Sequence, residues 1–177
     1  MGVSNYPVVT AAPRSKAEAR DTTDTDLQAA EAAKLSVADA IAVAEKHSEG
    51  GTVLAVRFTV QGFRPTYFLR TYQNGEVWEG AIDANSGALL DPRDTTPESD
   101  LEDEERAELV DLRAAPTILA EAVKAAEEHV NGRAISGGLG ATKSSIVWEV
   151  IVAANGAPWT VVVDAQSGQV TSSTAKT

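Results

Sequence analysis

Asp83 and Asp164 occupy matched places in WEGAIDANSG (residues 78–87) and WTVVVDAQSG (residues 159–168), and paired carboxylates are the minimum equipment for glycosidic acid–base hydrolysis. That chemistry needs the two groups about 5–10 Å apart, and nothing in the sequence brings these two together. The simpler use of Asp in Asp-Ala-x-Ser-Gly is a turn. Its short side-chain oxygen accepts backbone N–H groups just ahead, while Gly87 and Gly168 supply positive φ. His47 and His129, the only histidines, stand at matched helix ends, where an imidazole meets the last-turn carbonyls and the dipole. As metal ligands they lack partners, because Glu45 and Glu127 at i,i+2 point to other helix faces and no HExxH pattern exists. Asp83, Asn85, Gly87, Asp91 and Asp94 suggest a calcium loop. An EF-hand, however, wants Gly sixth between two helices, and here Gly comes fifth, with Leu89 seventh and a strand before it. Serine nucleophiles lack a G-x-S-x-G elbow, and Gly137-Gly138-Leu139-Gly140 with Ala141 to Ser144 lacks P-loop spacing. The sequence thus assigns no catalytic and no cofactor-binding residue, and leaves metal ligands undetermined.

Charge narrows the partners. The 177 residues carry a formal −11 and no cysteine, which excludes thiol catalysis, thiolate metal sites and disulfide staples. Ten carboxylates fall between residues 91 and 111 against only Arg93 and Arg106, so the acid is concentrated in one stretch. No basic surface is available for phosphate, which argues against nucleic acid. No apolar run reaches membrane-spanning length, and the first residues show no signal-peptide pattern.

Positioning elements follow from the repeat. Asn74-Gly75 and Asn155-Gly156 precede the two motifs at the same separation, and Ala44-Glu45-Lys46-His47 has Ala126-Glu127-Glu128-His129 as counterpart. Self-similarity over a helix plus a hairpin predicts two copies of one α+β module, each a helix packed on a small antiparallel sheet. Ser36 with Asp39 predicts a capped helix with Val37, Ile41 and Ala44 inward, stopped by Gly50-Gly51. The second helix is expected from Thr117, with Ile118, Leu119, Ala122, Val123 and Ala126 as its stripe, closing at Asn131-Gly132. Strands are expected at 52–60, 66–72, 76–83 and 88–90, then 133–136, 145–153, 158–164 and 168–171. Gly137, Gly138 and Gly140 read as a flexible loop cutting the fifth strand short. Phe58, Phe63, Tyr67, Phe68 and the three tryptophans are expected in the core or an interface.

The Ser- or Thr-led helix, the hairpin strands Tyr67-Phe68-Leu69 and Trp148-Glu149-Val150, and the closing Asp-Ala-x-Ser-Gly stretch resemble the PepSY family. The resemblance covers about 36–91 and 115–172, and implies a helix on a small antiparallel sheet. It places the chain among bacterial envelope and secreted proteins, including peptidase propeptides, where a peptidase-inhibiting role has been suggested; some members bind metal ions.

The expected organisation is a flexible, partly helical lead-in (1–34), a first module (35–92), an acidic linker (93–114) and a second module (115–173). Val8 and Val9 could add an edge strand, and residues 94–108 should be exposed, disordered or helical. The expected function is non-enzymatic: a periplasmic, cell-envelope or extracellular protein that binds, modulates or inhibits a peptidase or other protein. The alternative is a cation-binding envelope protein using surface carboxylates for a divalent or trivalent ion. Each helix covers one sheet face, so the second face should meet the other module or a second chain, which allows a homodimer.

Overall fold

In the computed structural model, residues 22–90 and 94–176 are described, so the strand expected around Val8 and Val9 lies outside the described residues. The described chain runs α1 (Asp24–Ala32), α2 (Val37–His47), β1 (Thr52–Gln61), β2 (Arg64–Gln73), β3 (Glu76–Asp83), β4 (Asp94–Pro97), a 3-10 turn (Glu98–Asp100), α3 (Asp103–Ala114), α4 (Leu119–Val130), β5 (Arg133–Ala141), β6 (Ile146–Ala154), β7 (Ala157–Asp164) and β8 (Val170–Ala175). The strands form one eight-stranded sheet in the order β4-β3-β2-β1-β5-β6-β7-β8, antiparallel throughout.

Local chemistry starts and stops these elements. Ser36 Oγ accepts from Asp39 N (3.1 Å) while Asp39 returns a carboxylate oxygen to Ser36 N (2.9 Å), a full capping box on α2. Val37, Ala40, Ile41 and Ala44 are its buried face. On α4 that face is Leu119, Ala122, Val123 and Ala126, and Asn131 at φ 52° ends the helix in the left-handed region. Ile118, expected on the inward stripe, is instead the exposed N-cap residue, and its N–H donates to the Glu121 carboxylate (3.2 Å). The β2–β3 and β6–β7 hairpins turn through Asn74-Gly75 and Asn155-Gly156, all four at positive φ, as two-residue primed turns require. A bulge between Val53 and Ala55 shifts the β1 alternation, so Val53 and Phe58, five residues apart, share a face opposite Thr71 and Tyr67 while Ala55 pairs with Arg70 on the other.

The two sheet faces are covered differently. Phe58 and Tyr67 sit opposite each other in register with rings 5.3 Å apart, and Tyr67 Oη donates to Leu35 O just before α2. Gly137, paired with Val56, faces Leu119 and Val123 of α4. Helices α2 and α4 therefore lie side by side on one face. The alternate residue Arg70 points the other way and binds Glu105 and Glu108 of α3, so the acidic helix covers part of the opposite face.

Four expectations need correction. The Gly137–Gly140 stretch is not a loop: β5 runs through it to Ala141, and Ser136, Gly137 and Gly138 are the residues that pair with β1. A side chain at Gly137 would strike Leu119 Cδ1 at 2.9 Å, so this glycine lets β5 and α4 approach closely. Residues 88–90 make only one bridge, Ile82↔Leu89, and the strand beside β3 comes from Asp94–Pro97. The stretch expected as an acidic linker supplies β4 and α3, with Leu101, Leu109 and Leu112 buried. Residues 94–108 are helical or extended and mostly exposed, but Glu108 is only 3% exposed, because Arg70 meets it. The lead-in is likewise not wholly outside the fold, since α1 buries Leu27 and Ala30 against β1 and β5.

Candidate functional site

Asp83 and Asp164 are structural turn residues. Asp83 Oδ1 accepts from Asn85 N and Ser86 N, both at 2.8 Å; Asp164 Oδ1 accepts from Gln166 N (2.9 Å) and Ser167 N (2.7 Å). These donors hold both carboxyls below the usual aspartate range, led by the Ser86 amide for Asp83 and the Ser167 amide for Asp164. A poised general acid would need the opposite shift. Gly87 and Gly168 close both turns at φ 75° and 71°.

The surrounding backbone bonds match one for one. Leu35 N donates to Ala84 O and Thr117 N to Ala165 O; Ala84 N donates to Pro65 O and Ala165 N to Ile146 O. Asp83 N donates to Ala88 O and Asp164 N to Gln169 O. Each Asp-turn thus ties the end of a third strand to the start of its own helix.

The histidines are exposed at their helix ends, and His129 Nε2 lies 3.2 Å from Ser173 Oγ. Asp91 lies outside the described residues, so the Asp83–Asp94 cluster has no complete geometry. Among the described residues, no group of three or more His, Asp or Glu side chains is arranged to hold a metal.

Sequence reasoning missed the charged groups the fold uses most. Arg70, 4% exposed, binds Glu108 (3.0 Å), Glu79 (3.1 Å) and Glu105 (3.3 Å), clamping α3 to β2 and β3. Beside it Glu98 accepts from Tyr72 Oη (2.9 Å) and Arg113 (2.9 Å), and these donors, Arg113 first, keep its carboxyl below the usual range. Arg133 on β5 reaches Ala33 O (2.6 Å) and Leu35 O (2.8 Å), so the second half of the chain holds the entry to α2. Burial pushes the Tyr67 phenol up to about 12, and its Oη donates to Leu35 O (2.9 Å). For Asp26, burial acts upward, but hydrogen bonds from Thr23, Val60 and Thr59 outweigh it and lower the carboxyl. Local spacing could not reveal Arg70 with Glu105 and Glu108, Asp26 with Val60, or Arg133 with Ala33 and Leu35, since these partners lie more than thirty residues apart.

Phe63, expected in the core or an interface, is not in the core: it is fully exposed at the β1–β2 turn. Val110 on α3 and Ile118 are the other large apolar side chains exposed among the described residues.

Residues 119–174, from α4 into β8, match the family model described as peptidase propeptide and YPEB domain, PepSY. That stretch is similar to a PepSY domain. The matched residues hold the Asp164 turn, the Asn155-Gly156 hairpin and the Gly137 approach to α4. No curated protein matches the chain. A solved structure described as a "putative lipoprotein" from Clostridium difficile 630 is 17% identical, with a TM-score of 0.48, and the match covers 81% of this chain and 95% of that one.

Proposed function

We propose that this is a non-enzymatic binding protein of the bacterial envelope or exterior that holds or inhibits a peptidase or another protein partner. The PepSY match over 119–174, a domain named for peptidase propeptides, is the observation that carries the reading. The geometry is in keeping with it. Both motif aspartates are committed to turns, and Arg70 is engaged by three carboxylates. The matched bonds around Asp83 and Asp164 support a finer statement: residues 35–90 are a diverged second copy of the module, so the protein is a tandem.

The test is inhibition by the full chain of a panel of secreted peptidases: subtilisin, thermolysin and chymotrypsin. Saturable slowing of one member at micromolar protein is expected. If all three run unchanged while calorimetry with Ca²⁺ or Cu²⁺ gives saturable heat, the cation-binding alternative replaces this reading.

A further inference from the structure

Asn followed by Gly occurs at Asn74-Gly75, Asn131-Gly132 and Asn155-Gly156. Such a pair is open to chemistry within the chain itself, because Gly has no side chain to shield its backbone nitrogen from the Asn side-chain amide. That nitrogen, on losing its proton to water, attacks Cγ. The N–Cγ bond forms, the Cγ–Nδ2 bond breaks, and the side-chain nitrogen leaves as ammonia. Water then opens the five-membered imide at one carbonyl or the other. The products are aspartate and an isoaspartyl linkage that runs through Cβ and Cγ. Ring closure needs a rotation about the Asn Cα–C bond that a folded left-handed turn does not permit, so each pair reacts only through local opening.

The fold holds the three pairs unequally. Asn74, Asn131 and Asn155 have φ of 50°, 52° and 54°, so their own conformation does not separate them. At Asn131 the attacking nitrogen is engaged: Gly132 N donates to Glu127 O (3.1 Å), and a Cβ on Gly132 would strike Ala153 O of β6. At Asn74 the turn is tied from outside. Glu98 N donates to Gly75 O (2.8 Å), and the Glu98 carboxylate is itself gripped by Tyr72 and Arg113. Asn155 and Gly156 are both exposed, and a Cβ on Gly156 would meet nothing within 4 Å. Among the described residues, no hydrogen bond from outside the β6–β7 hairpin reaches either of them.

We propose that Asn155 is a self-modification site, converting spontaneously to aspartate and isoaspartate at the tip of the β6–β7 hairpin while Asn74 lags and Asn131 is protected. The isoaspartyl product adds an atom to the main chain of a two-residue turn that closes the Ala154–Ala157 pair, so conversion also loosens the hairpin.

The full chain is incubated folded at mildly alkaline pH, beside a sample unfolded in guanidinium. Peptides from both are mapped over time for the mass gained when NH2 becomes OH and for isoaspartate. In the folded chain Asn155 is expected to convert about tenfold faster than Asn74, the population change that one net hydrogen bond makes, with Asn131 slowest. In the unfolded chain the three rates should converge. Glu98→Pro tests the tie on Asn74, because relative to Glu98→Ala it removes the N–H that holds Gly75 O. Pro97, at φ −58° and ψ 144°, already has the backbone that a following proline requires. Asn74 should convert about tenfold faster in Glu98→Pro than in Glu98→Ala. Aged wild type should melt below fresh wild type, whereas fresh Asn155→Asp should melt with it, since Asp-Gly suits the same turn. Asn74 or Asn131 converting first, or Asn155 intact after the unfolded chain has converted, would each overturn the proposal. Equal Asn74 rates in the two Glu98 variants would overturn the protection assigned to Glu98, and an aged chain melting as fresh would overturn the loosening of the hairpin.

Discussion

At the scale of single residues, polar groups do different work at the surface and beneath α3. Arg70 and Glu108 are both almost wholly buried, and removing one member of such a pair strands the other in a poor solvent. Arg70→Leu should cost about 3–5 kcal/mol in urea unfolding, while Arg70→Met combined with Glu108→Leu should recover most of it. A mild effect of Arg70→Leu alone would show that α3 is held chiefly by Leu109 and Leu112. The turn aspartates give a pH signature. Their folded carboxyls lie below the ordinary value near 4, so their contribution is complete above about pH 5 and is lost as pH falls through the folded value. Asp83→Asn and Asp164→Asn should therefore be less stable than wild type at pH 7, with the gap closing toward pH 2.5 or so. A gap that persisted at low pH would assign the loss to packing.

Among the elements, legibility in the sequence followed locality. Ser36 with Asp39, Asn74-Gly75, Asn155-Gly156 and both Asp-turns were readable because each is satisfied within a few residues. The Gly137–Gly140 stretch misled for the same reason. Locally three glycines read as a break, but Gly137 answers to the close approach of Leu119 on α4, and Gly137 and Gly138 pair with β1, neither element nearby in sequence. Phe63 could be read only as a core or interface aromatic, because its exclusion from the core depends on how far a hairpin extends beyond its neighbours. The glycines make a paired prediction. Gly137→Ala should destabilise by about 1–3 kcal/mol through overpacking on Leu119, while Gly138→Ala, whose Cβ would stand 3.7 Å from Ala55 Cβ, should be nearly neutral. Equal effects measured by denaturant titration would contradict the close approach at Gly137.

Across the whole molecule, one buried apolar cluster runs from Leu27 and Ile41 through Val56 to Trp148 and Val163. The two halves of the chain share one sheet, joined where β1 pairs with β5, together with an interior and the Arg133 bonds to Ala33 and Leu35. Unfolding should accordingly be a single transition, with tryptophan fluorescence and far-UV dichroism coinciding. Two resolved steps would mean that the shared interior couples the halves weakly.

The β1–β5 seam comprises three residue pairs, and it also sets an order of events during synthesis. Translation releases β1 long before Ser136–Gly138 appear, so the nascent first half carries a bare strand flank with no complement of its own. The acidic helix emerges in that interval, and Arg70 can capture it before the second half exists. Like charge then discourages neighbouring nascent chains from annealing along the open flank. A fragment ending at residue 114 should remain dispersed at low salt and associate as salt screens its acid, whereas the full chain should scatter light equally in both. A fragment indifferent to salt would remove the acidic stretch from this guarding role.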